Sequence, residues 1–248
     1  MAQNIYDDAD FFAAYSNLRR SIEGLAGAPE WPHLRAMLPD MAGCRVVDLG
    51  CGFGWFSRWA AEAGATSVLG IDLSEKMLER ARAETADARI TYRQGDLDVV
   101  DLPAASFEVA YSSLALHYLV DLRRFMSTVG RAVVDDGAFV FSIEHPIYSA
   151  PLSPGFVTDA AGHVTWPLDS YAVEGPRTTD WLAPGVVKHH RTVTTYLDCL
   201  QHAGFQLEHF HEWQPTADEI AAFPDWATDL DRPQFLLIGA SKTRPQRS

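Results

Sequence analysis

The chain has 248 residues, of which 47% are hydrophobic and 21% charged, a composition typical of a soluble globular protein with a substantial core. No apolar stretch is long enough to cross a bilayer and the first residues do not resemble a signal peptide. We therefore expect a cytoplasmic protein without membrane insertion. The formal net charge of −13 disfavours nucleic acid as a partner, and three widely spaced cysteines predict neither a disulfide framework nor a metal site.

The N-terminal part of the chain is predicted to be helical. Five apolar residues between Phe11 and Leu25 recur at helical spacing, which indicates one amphipathic helix over residues 9–25. The sequence GAPEWPH then breaks the pattern, and a second short helix is predicted over residues 33–39.

Strands and helices alternate through the central part of the chain. Short β-branched runs predict five strands, at residues 45–50, 67–73, 90–97, 107–116 and 137–145. Apolar periodicity predicts helices between most of them, at residues 53–64, 74–86 and 122–134. This spacing is typical of parallel βαβ units.

Residues 147–190 lose this alternation and are rich in Pro, Gly, Trp and Tyr. An irregular segment of this length in a compact protein usually has a function, and its aromatic content disfavours disorder. After it we predict a helix over residues 191–204, a strand over 205–213, an acidic helix and a last strand over 233–242.

The sequence DLGCGFG, residues 48–54, places three glycines between a predicted strand and a predicted helix. They could simply permit a tight turn, or they could let a nucleotide-like cofactor approach the backbone N–H groups at the helix N-terminus. The dinucleotide pattern G-x-G-x-x-G is absent, because Trp55 stands in place of its last glycine. The preceding Asp48 would repel a pyrophosphate but attract an ammonium group.

These seven residues resemble the first motif of class I S-adenosylmethionine-dependent methyltransferases, D/E-x-G-x-G-x-G. Asp72, at the end of the second predicted strand, corresponds to the acidic residue that binds the ribose hydroxyls in that family. Gly95, Asp96 and Leu97 resemble the segment that contacts adenine, and residues 102–121 resemble the fourth-strand region. Within the family, the sequence is similar to the small-molecule methyltransferases grouped as type 11.

The resemblance implies an α/β fold, a Rossmann-like three-layer sandwich with a mostly parallel seven-stranded sheet whose last strand is antiparallel. It implies one methyltransferase domain over residues 1–248, with residues 1–40 as a helical lid and residues 147–190 as an insertion over the acceptor site. The cofactor would be S-adenosyl-L-methionine. The cofactor-binding positions it implies are Asp48, Gly50, Cys51, Gly52, Asp72, Leu73, Met77, Asp96, Leu97, Ser112, Tyr15 and Arg19.

Three histidines are candidates for catalysis. His145 follows the fifth strand and is the preferred base or substrate anchor, because imidazole titrates near neutral pH. His117 follows the fourth strand, and His190 precedes a helix after the insertion. Local hydrogen bonding at a strand end or a helix start would explain His145 and His190 without any catalytic role.

The resulting hypothesis is methyl transfer from S-adenosylmethionine to a small acceptor of aromatic or quinone-like character, with no metal involved. The alternative is a non-catalytic protein that binds S-adenosylmethionine or S-adenosylhomocysteine. A nicotinamide-dependent oxidoreductase is disfavoured by the missing glycine and by Asp48. The sequence carries no signal for an oligomeric state.

Overall fold

The computed structural model describes residues 3–244, so the ends of the predicted domain, residues 1–2 and 245–248, lie outside the described residues. The strands in chain order are β1 (Arg45–Leu49), β2 (Ser67–Asp72), β3 (Ile90–Gln94), β4 (Phe107–Ser113), β5 (Val133–Glu144), β6 (Val157–Thr158), β7 (Val164–Thr165), β8 (Gly175–Thr179), β9 (Val186–His190), β10 (Phe205–Glu212) and β11 (Phe235–Lys242). The α-helices are α1 (Ala9–Ser16), α2 (Arg19–Ile22), α3 (Trp31–Met37), α4 (Trp55–Glu62), α5 (Glu75–Ala83), α6 (Leu122–Ala132), α7 (Pro146–Ser149), α8 (Val193–His202) and α9 (Ala217–Ala222). Short 3₁₀ helices occur at Ile5–Asp7, Gly24–Gly27, Leu116–Tyr118 and Pro224–Leu230.

Seven strands form the main sheet in the order β3-β2-β1-β4-β5-β11-β10. The first five are parallel to one another, whereas β11 is antiparallel to both β5 and β10. The predicted seven-stranded, mostly parallel sheet with an antiparallel last strand is therefore confirmed. The strand order reverses between β1 and β4, and open α/β sheets bind ligands beyond the carboxyl ends of the strands at such a point.

Two apolar clusters cover the opposite faces of the sheet. On one face, buried residues of α6 and α8, such as Phe125 and Leu200, pack against the strands. On the other face, α3 and α4 contribute Trp31, Phe56 and Ala60, which pack against strand residues that include Val68. These clusters form the three layers expected of the fold, because each helix buries one apolar stripe against the sheet.

The N-terminal segment differs from the single helix predicted over residues 9–25. Helix α1 ends at Ser16, because Leu18 adopts an extended conformation with ψ of 148°. Helix α2 then ends before Gly24, whose φ of +63° is incompatible with a continuing right-handed helix. The segment therefore changes direction at Leu18 and again at Gly24.

Two further boundaries differ from the prediction. Strand β5 begins at Val133, four residues before the predicted start at Gly137, because Val133 already pairs with Phe107 of β4. The segment predicted as irregular, residues 147–190, contains helix α7 and two antiparallel hairpins, β6/β7 and β8/β9. Among residues 3–244, none of the helices has the length and apolar character that a membrane span requires.

Candidate active site

The glycine loop between β1 and α4 turns back against the end of β2. The backbone N–H groups of Gly50 and Cys51 both donate to the carbonyl oxygen of Ile71, at 2.8 and 3.0 Å. Gly50, Gly52 and Gly54 have φ values of +83°, +52° and +74°, in the left-handed region that favours glycine.

The space around these glycines differs from one to the next. A Cβ atom at Gly50 would lie 2.5 Å from Cβ of Ala115, and one at Gly54 would lie 2.1 Å from the Tyr92 hydroxyl oxygen. A Cβ at Gly52 would have no heavy atom of the described residues within 4 Å. Gly52 lines a cavity, so the open space beside it fits a ligand that approaches the backbone closely.

The cavity, of about 410 Å³, lies beyond the carboxyl ends of β1, β2, β4 and β5. Most of the predicted site residues meet in its wall. These are the predicted cofactor-binding positions Tyr15, Arg19, Asp48, Gly50, Cys51, Gly52, Asp72, Leu73, Met77, Asp96 and Leu97, and the candidate catalytic residue His117.

Asp48 is a deeply buried carboxylate of this wall, with 2% of its surface exposed. The hydroxyl of Ser57 donates a 2.6 Å hydrogen bond to its Oδ2 atom. Burial raises the pKa of Asp48 to about 7, although the hydrogen bond opposes this shift. A cationic partner would strongly stabilise the ionised form of this carboxyl group, and an ammonium group in the cavity would be such a partner.

Asp72 fixes the shape of the glycine loop. Its Oδ2 atom accepts from the backbone N–H of Gly52 at 2.8 Å, and its Oδ1 atom accepts from that of Ser74 at 2.9 Å. Burial nevertheless raises the pKa of Asp72. Each carboxylate oxygen has a second lone pair, so Asp72 can still accept from two hydroxyl groups of a ligand.

The N-terminal segment closes one side of the cavity. The Tyr6 hydroxyl donates to that of Tyr118 at 3.2 Å, across the cavity wall. The Gln3 side chain donates to the carbonyl oxygen of Gly185 at 3.0 Å and accepts from the N–H of Val187 at 2.9 Å. The first residues of the described chain therefore contact the insertion at residues 147–190.

The structure separates the two arginines of α2. Arg19 forms an ion pair with Glu23 at 2.9 Å in which both side chains are more than 40% exposed. Arg20 points to the interior, where its Nη1 atom lies 3.1 Å from Oε1 of Glu30, a residue that is 1% exposed. Both arginines line the cavity, but Arg20 is the better placed to meet a buried anionic group.

Aromatic side chains form much of the remaining wall. Trp213 contacts Trp226 and Phe235 with ring centroids 5.7 Å apart in each pair. Trp181, from the insertion, lies 6.4 Å from the ring of Tyr15. All of these rings line the same cavity as the glycine loop.

A histidine, a glutamate and a lysine meet at the end of β5. The backbone N–H of Glu144 donates to Nδ1 of His117 at 3.3 Å, and Nζ of Lys188 lies 2.5 Å from Oε1 of Glu144. Burial lowers the pKa of His117 to about 4. His117 is therefore neutral at pH 7 with its proton on Nε2, because Nδ1 serves as the acceptor.

Three predicted site residues lie outside the cavity wall. Ser112 is fully buried and donates to the carbonyl oxygen of Leu49 at 2.7 Å, which ties β4 to β1. His145 caps α7: its Nδ1 atom accepts from the N–H of Ile147 at 3.0 Å, and its Nε2 atom lies 2.9 Å from Oε1 of Glu212.

His190 has both ring nitrogens occupied, by the Ser149 hydroxyl at 3.0 Å and by the carbonyl oxygen of Tyr171 at 2.8 Å. His145 and His190 therefore both form hydrogen bonds with neighbouring segments of the fold, and neither lines the cavity. Of the three histidines proposed for catalysis, His117 alone lines the cavity.

Sequence reasoning missed several residues of the wall. Arg20 differs from Arg19 only by one position, and helical periodicity could have placed the two on different faces. Glu30, Trp213, Trp226 and Phe235 carried no such signal, because they reach the cavity from segments distant in the chain. Within residues 3–244, no group of three or more His, Cys, Asp or Glu side chains is arranged to hold a metal ion.

The site fits S-adenosylmethionine better than a phosphate-bearing cofactor. Its loop has open space at Gly52 and is flanked by the carboxyl groups of Asp48, Asp72 and Asp96, which suit an ammonium group and hydroxyl groups. The protein family described as a methyltransferase domain matches residues 47–141.

Solved structures and curated proteins resemble the chain over most of its length. The crystal structure of an S-adenosylmethionine-dependent methyltransferase from Mesorhizobium loti is 61% identical, with a TM-score of 0.85, and the match covers 88% of this chain and 100% of that one. A Listeria monocytogenes protein assigned to the same class is 40% identical, with a TM-score of 0.80, over 88% of this chain and 99% of its own. An uncharacterised Haemophilus influenzae protein is 32% identical over 96% of this chain and 97% of its own length. The chain therefore belongs to the S-adenosylmethionine-dependent methyltransferases, and S-adenosyl-L-methionine is its cofactor.

Proposed function

We propose that this enzyme methylates a small acceptor of aromatic or quinone-like character. The observation that carries the proposal is one cavity whose wall combines two kinds of side chain. The glycine loop and the carboxyl groups of Asp48 and Asp72 supply polar groups, and aromatic rings that include Trp181 and Trp226 supply apolar surface. A volume of about 410 Å³ and a mostly apolar lining with a few polar groups are typical of small-molecule sites.

The side chains of this wall have distinct roles in the proposal. Asp48 pairs with the ammonium group of the bound cofactor, and Asp72 accepts from its ribose hydroxyls. Arg20 meets the carboxylate of its methionine part. His117 presents its Nε2 proton to the acceptor as a hydrogen-bond donor.

The activated methyl group is supplied by the sulfonium of the cofactor, so the protein has to orient the two reactants and exclude water. We propose that residues 1–40 and the insertion at residues 147–190 perform the second task within one domain. The hydrogen bonds from Gln3 to the insertion, and from Tyr6 to Tyr118, support this arrangement. All three cysteines are free thiols, which supports the expected cytoplasmic setting.

Methyl transfer to matched acceptors tests the proposal. The enzyme is incubated with S-adenosylmethionine labelled in the methyl group and with hydroquinone, phenol or cyclohexanol, and labelled product is counted. We expect label in the two aromatic alcohols at a rate well above that in cyclohexanol. Equal labelling of cyclohexanol, or no labelling of either ring compound by enzyme that binds S-adenosylhomocysteine, would contradict an aromatic acceptor.

A ring in the wall provides the second arm of the experiment. Trp181→Leu removes the ring that the insertion contributes while retaining an apolar side chain. We expect a higher KM for phenol and a smaller loss of affinity for S-adenosylhomocysteine, because Trp181 is not itself a predicted cofactor-binding position, although its ring lies beside that of Tyr15, which is one. An equal loss of both would indicate a general disturbance of the site.

A further inference from the structure

The end of β5 holds an ion pair whose two members come from different parts of the fold. Glu144 is the last residue of β5, and Lys188 lies in β9 of the insertion. The Lys188 side chain is 4% exposed and its Nζ atom lies 4.7 Å from the centre of the Trp181 ring. The insertion therefore places a buried positive charge beside Glu144, which lines the cavity.

The two oxygens of Glu144 have different surroundings. Oε1 is held by Lys188 at 2.5 Å, whereas Oε2 is buried and receives no hydrogen bond from any group within residues 3–244. A buried carboxylate oxygen without a donor is unfavourable, because its hydration is lost and not replaced. A ligand group that carries a proton would supply the missing donor.

Two other titratable side chains of the wall, His117 and Glu30, are less suited than Glu144 to accept a proton from a ligand. His117 cannot take up a proton at Nδ1, which already accepts from the backbone N–H of Glu144, and Nε2 carries the proton of the neutral ring. A second acidic side chain of the wall, Glu30, also has a buried oxygen, Oε1, without a hydrogen bond from the described part of the chain, but this atom lies 3.1 Å from Nη1 of Arg20, and Oε2 accepts from Nη2 of Arg20 at 3.2 Å. The charge of Arg20 compensates both oxygens of Glu30, so Glu144 is the carboxylate whose Oε2 atom gains most from a ligand that donates a proton.

We propose that Glu144 selects acceptors whose nucleophilic atom bears a proton, a hydroxyl or an amine, and receives that proton during methyl transfer. The inference rests on the proposed function, because it assigns the acceptor end of the same cavity. The acceptor oxygen or nitrogen bonds to the methyl carbon as the bond from that carbon to sulfur breaks. Its proton moves to Oε2 of Glu144, so the positive charge on sulfur and the negative charge on the carboxylate are both cancelled.

Binding of three naphthalene probes tests the selection without knowledge of the natural acceptor. The probes are 1-naphthol, 1-naphthylamine and 1-methoxynaphthalene, titrated by calorimetry into enzyme saturated with S-adenosylhomocysteine. The first two carry a proton for Oε2, and the third has the same ring and oxygen without one. We expect the wild-type enzyme to bind the hydroxyl or the amine probe at least about tenfold more tightly than the methoxy probe, as a hydrogen bond to a buried charged group implies.

Glu144→Gln is the decisive variant, because it keeps the size of the side chain and an oxygen for Lys188 but places an amide donor in place of Oε2. We expect the preference for the proton-bearing probes to fall to about twofold or less, with S-adenosylhomocysteine affinity unchanged. Glu108→Gln is the matched control: Glu108 pairs with Arg45 on the surface at the opposite end of the sheet, and we expect the full preference to remain.

Each outcome decides the inference. Binding of the methoxy probe by the wild type as tight as that of both proton-bearing probes would overturn it while leaving an aromatic acceptor in place, and this arm needs no variant to fold. A preference that survives Glu144→Gln would overturn the assignment to Glu144. Failure of all three probes to bind, with S-adenosylhomocysteine still bound, would remove the aromatic acceptor and the inference together.

Discussion

The Ser57 hydroxyl donates a 2.6 Å hydrogen bond to the carboxyl group of Asp48, and this is the contact that holds an otherwise desolvated acid at the floor of the cofactor cavity. Even so, burial raises the pKa of Asp48 to about 7. The free enzyme therefore carries Asp48 as a mixture of neutral and ionised forms near neutral pH. Only the ionised form pairs well with the ammonium group of the cofactor.

Cofactor affinity should therefore depend on pH. Between pH 6 and pH 7.5 we expect the affinity for S-adenosylmethionine to rise roughly fivefold, because binding at the lower pH must first release the proton of Asp48. The upper limit keeps the cofactor's own ammonium group mostly protonated. Calorimetry at the two pH values measures the change, and Asp48→Asn should abolish most of it. An affinity in the wild type that is the same at both pH values would contradict the prediction.

The same residue should make the cofactor-free fold less stable at alkaline pH. Because the folded-state pKa of Asp48 lies above its usual value of 3.8, its stabilising contribution is complete below about pH 3.8 and is lost as the pH rises to about 7. We expect Asp48→Asn, which is always neutral, to melt several degrees above the wild type at pH 8 and by a smaller margin at pH 5, which lies inside the window in which the loss develops. A lower melting temperature for the variant at pH 8 would be the opposite result.

Two glycines of the loop should respond differently to the same substitution. Gly52→Ala should lower stability by about 1 kcal/mol, through its positive φ, but reduce S-adenosylhomocysteine affinity more than tenfold, because the methyl group enters the cavity. Gly54→Ala should lower the melting temperature further, since its Cβ meets the Tyr92 hydroxyl at 2.1 Å, which itself contacts Thr85. Thermal melts and calorimetry on both variants give the comparison. If Gly52→Ala and Gly54→Ala both lost S-adenosylhomocysteine affinity in the same proportion to their loss of stability, a cofactor beside Gly52 would be contradicted.

His145 should behave as a helix cap. His145→Ala should destabilise the protein by about 1 kcal/mol, because α7 loses the side chain that accepts from Ile147. His145→Asn should recover most of that loss, since asparagine is a good cap. Both variants should keep the cofactor affinity and the rate of methyl transfer to phenol within about twofold of the wild type. A rate loss of a hundredfold in both would restore His145 to the catalytic machinery.

Arg20 and Arg19 provide a paired comparison at the methionine end of the cofactor. Arg20→Lys keeps a charge beside Glu30 but loses the planar fork, and should weaken S-adenosylmethionine binding roughly tenfold. Arg19→Ala should have little effect, because its pair with Glu23 is exposed. 5′-Methylthioadenosine, which lacks the carboxylate, is the control ligand, and its affinity should not change in either variant. A parallel loss of both ligands in Arg20→Lys would point to general disruption.

The sequence by itself determined the alternation of strands and helices, and its resemblance to methyltransferase motifs gave the positions predicted to bind the cofactor. Glycines 50, 52 and 54 and the acids near the ends of β1 and β2 lie at fixed distances along the chain, and a parallel βαβ unit brings such strand ends together at one edge. The motifs were therefore enough to predict that Asp48, Asp72 and Asp96 meet in one cavity wall, because each motif follows a parallel strand.

Only the tertiary structure decided which residues meet at the proposed acceptor end of the cavity. Glu144, Lys188 and His117 meet because β5, β9 and the turn after β4 pack together, a contact that no local pattern encodes. The contacts of His145 and His190 could not be predicted from the sequence for the same reason, and both residues were therefore candidates for catalysis. A histidine side chain can serve as a base or as a structural hydrogen-bonding group, and only the neighbours supplied by distant segments, Glu212 for His145 and Tyr171 for His190, separate the two roles.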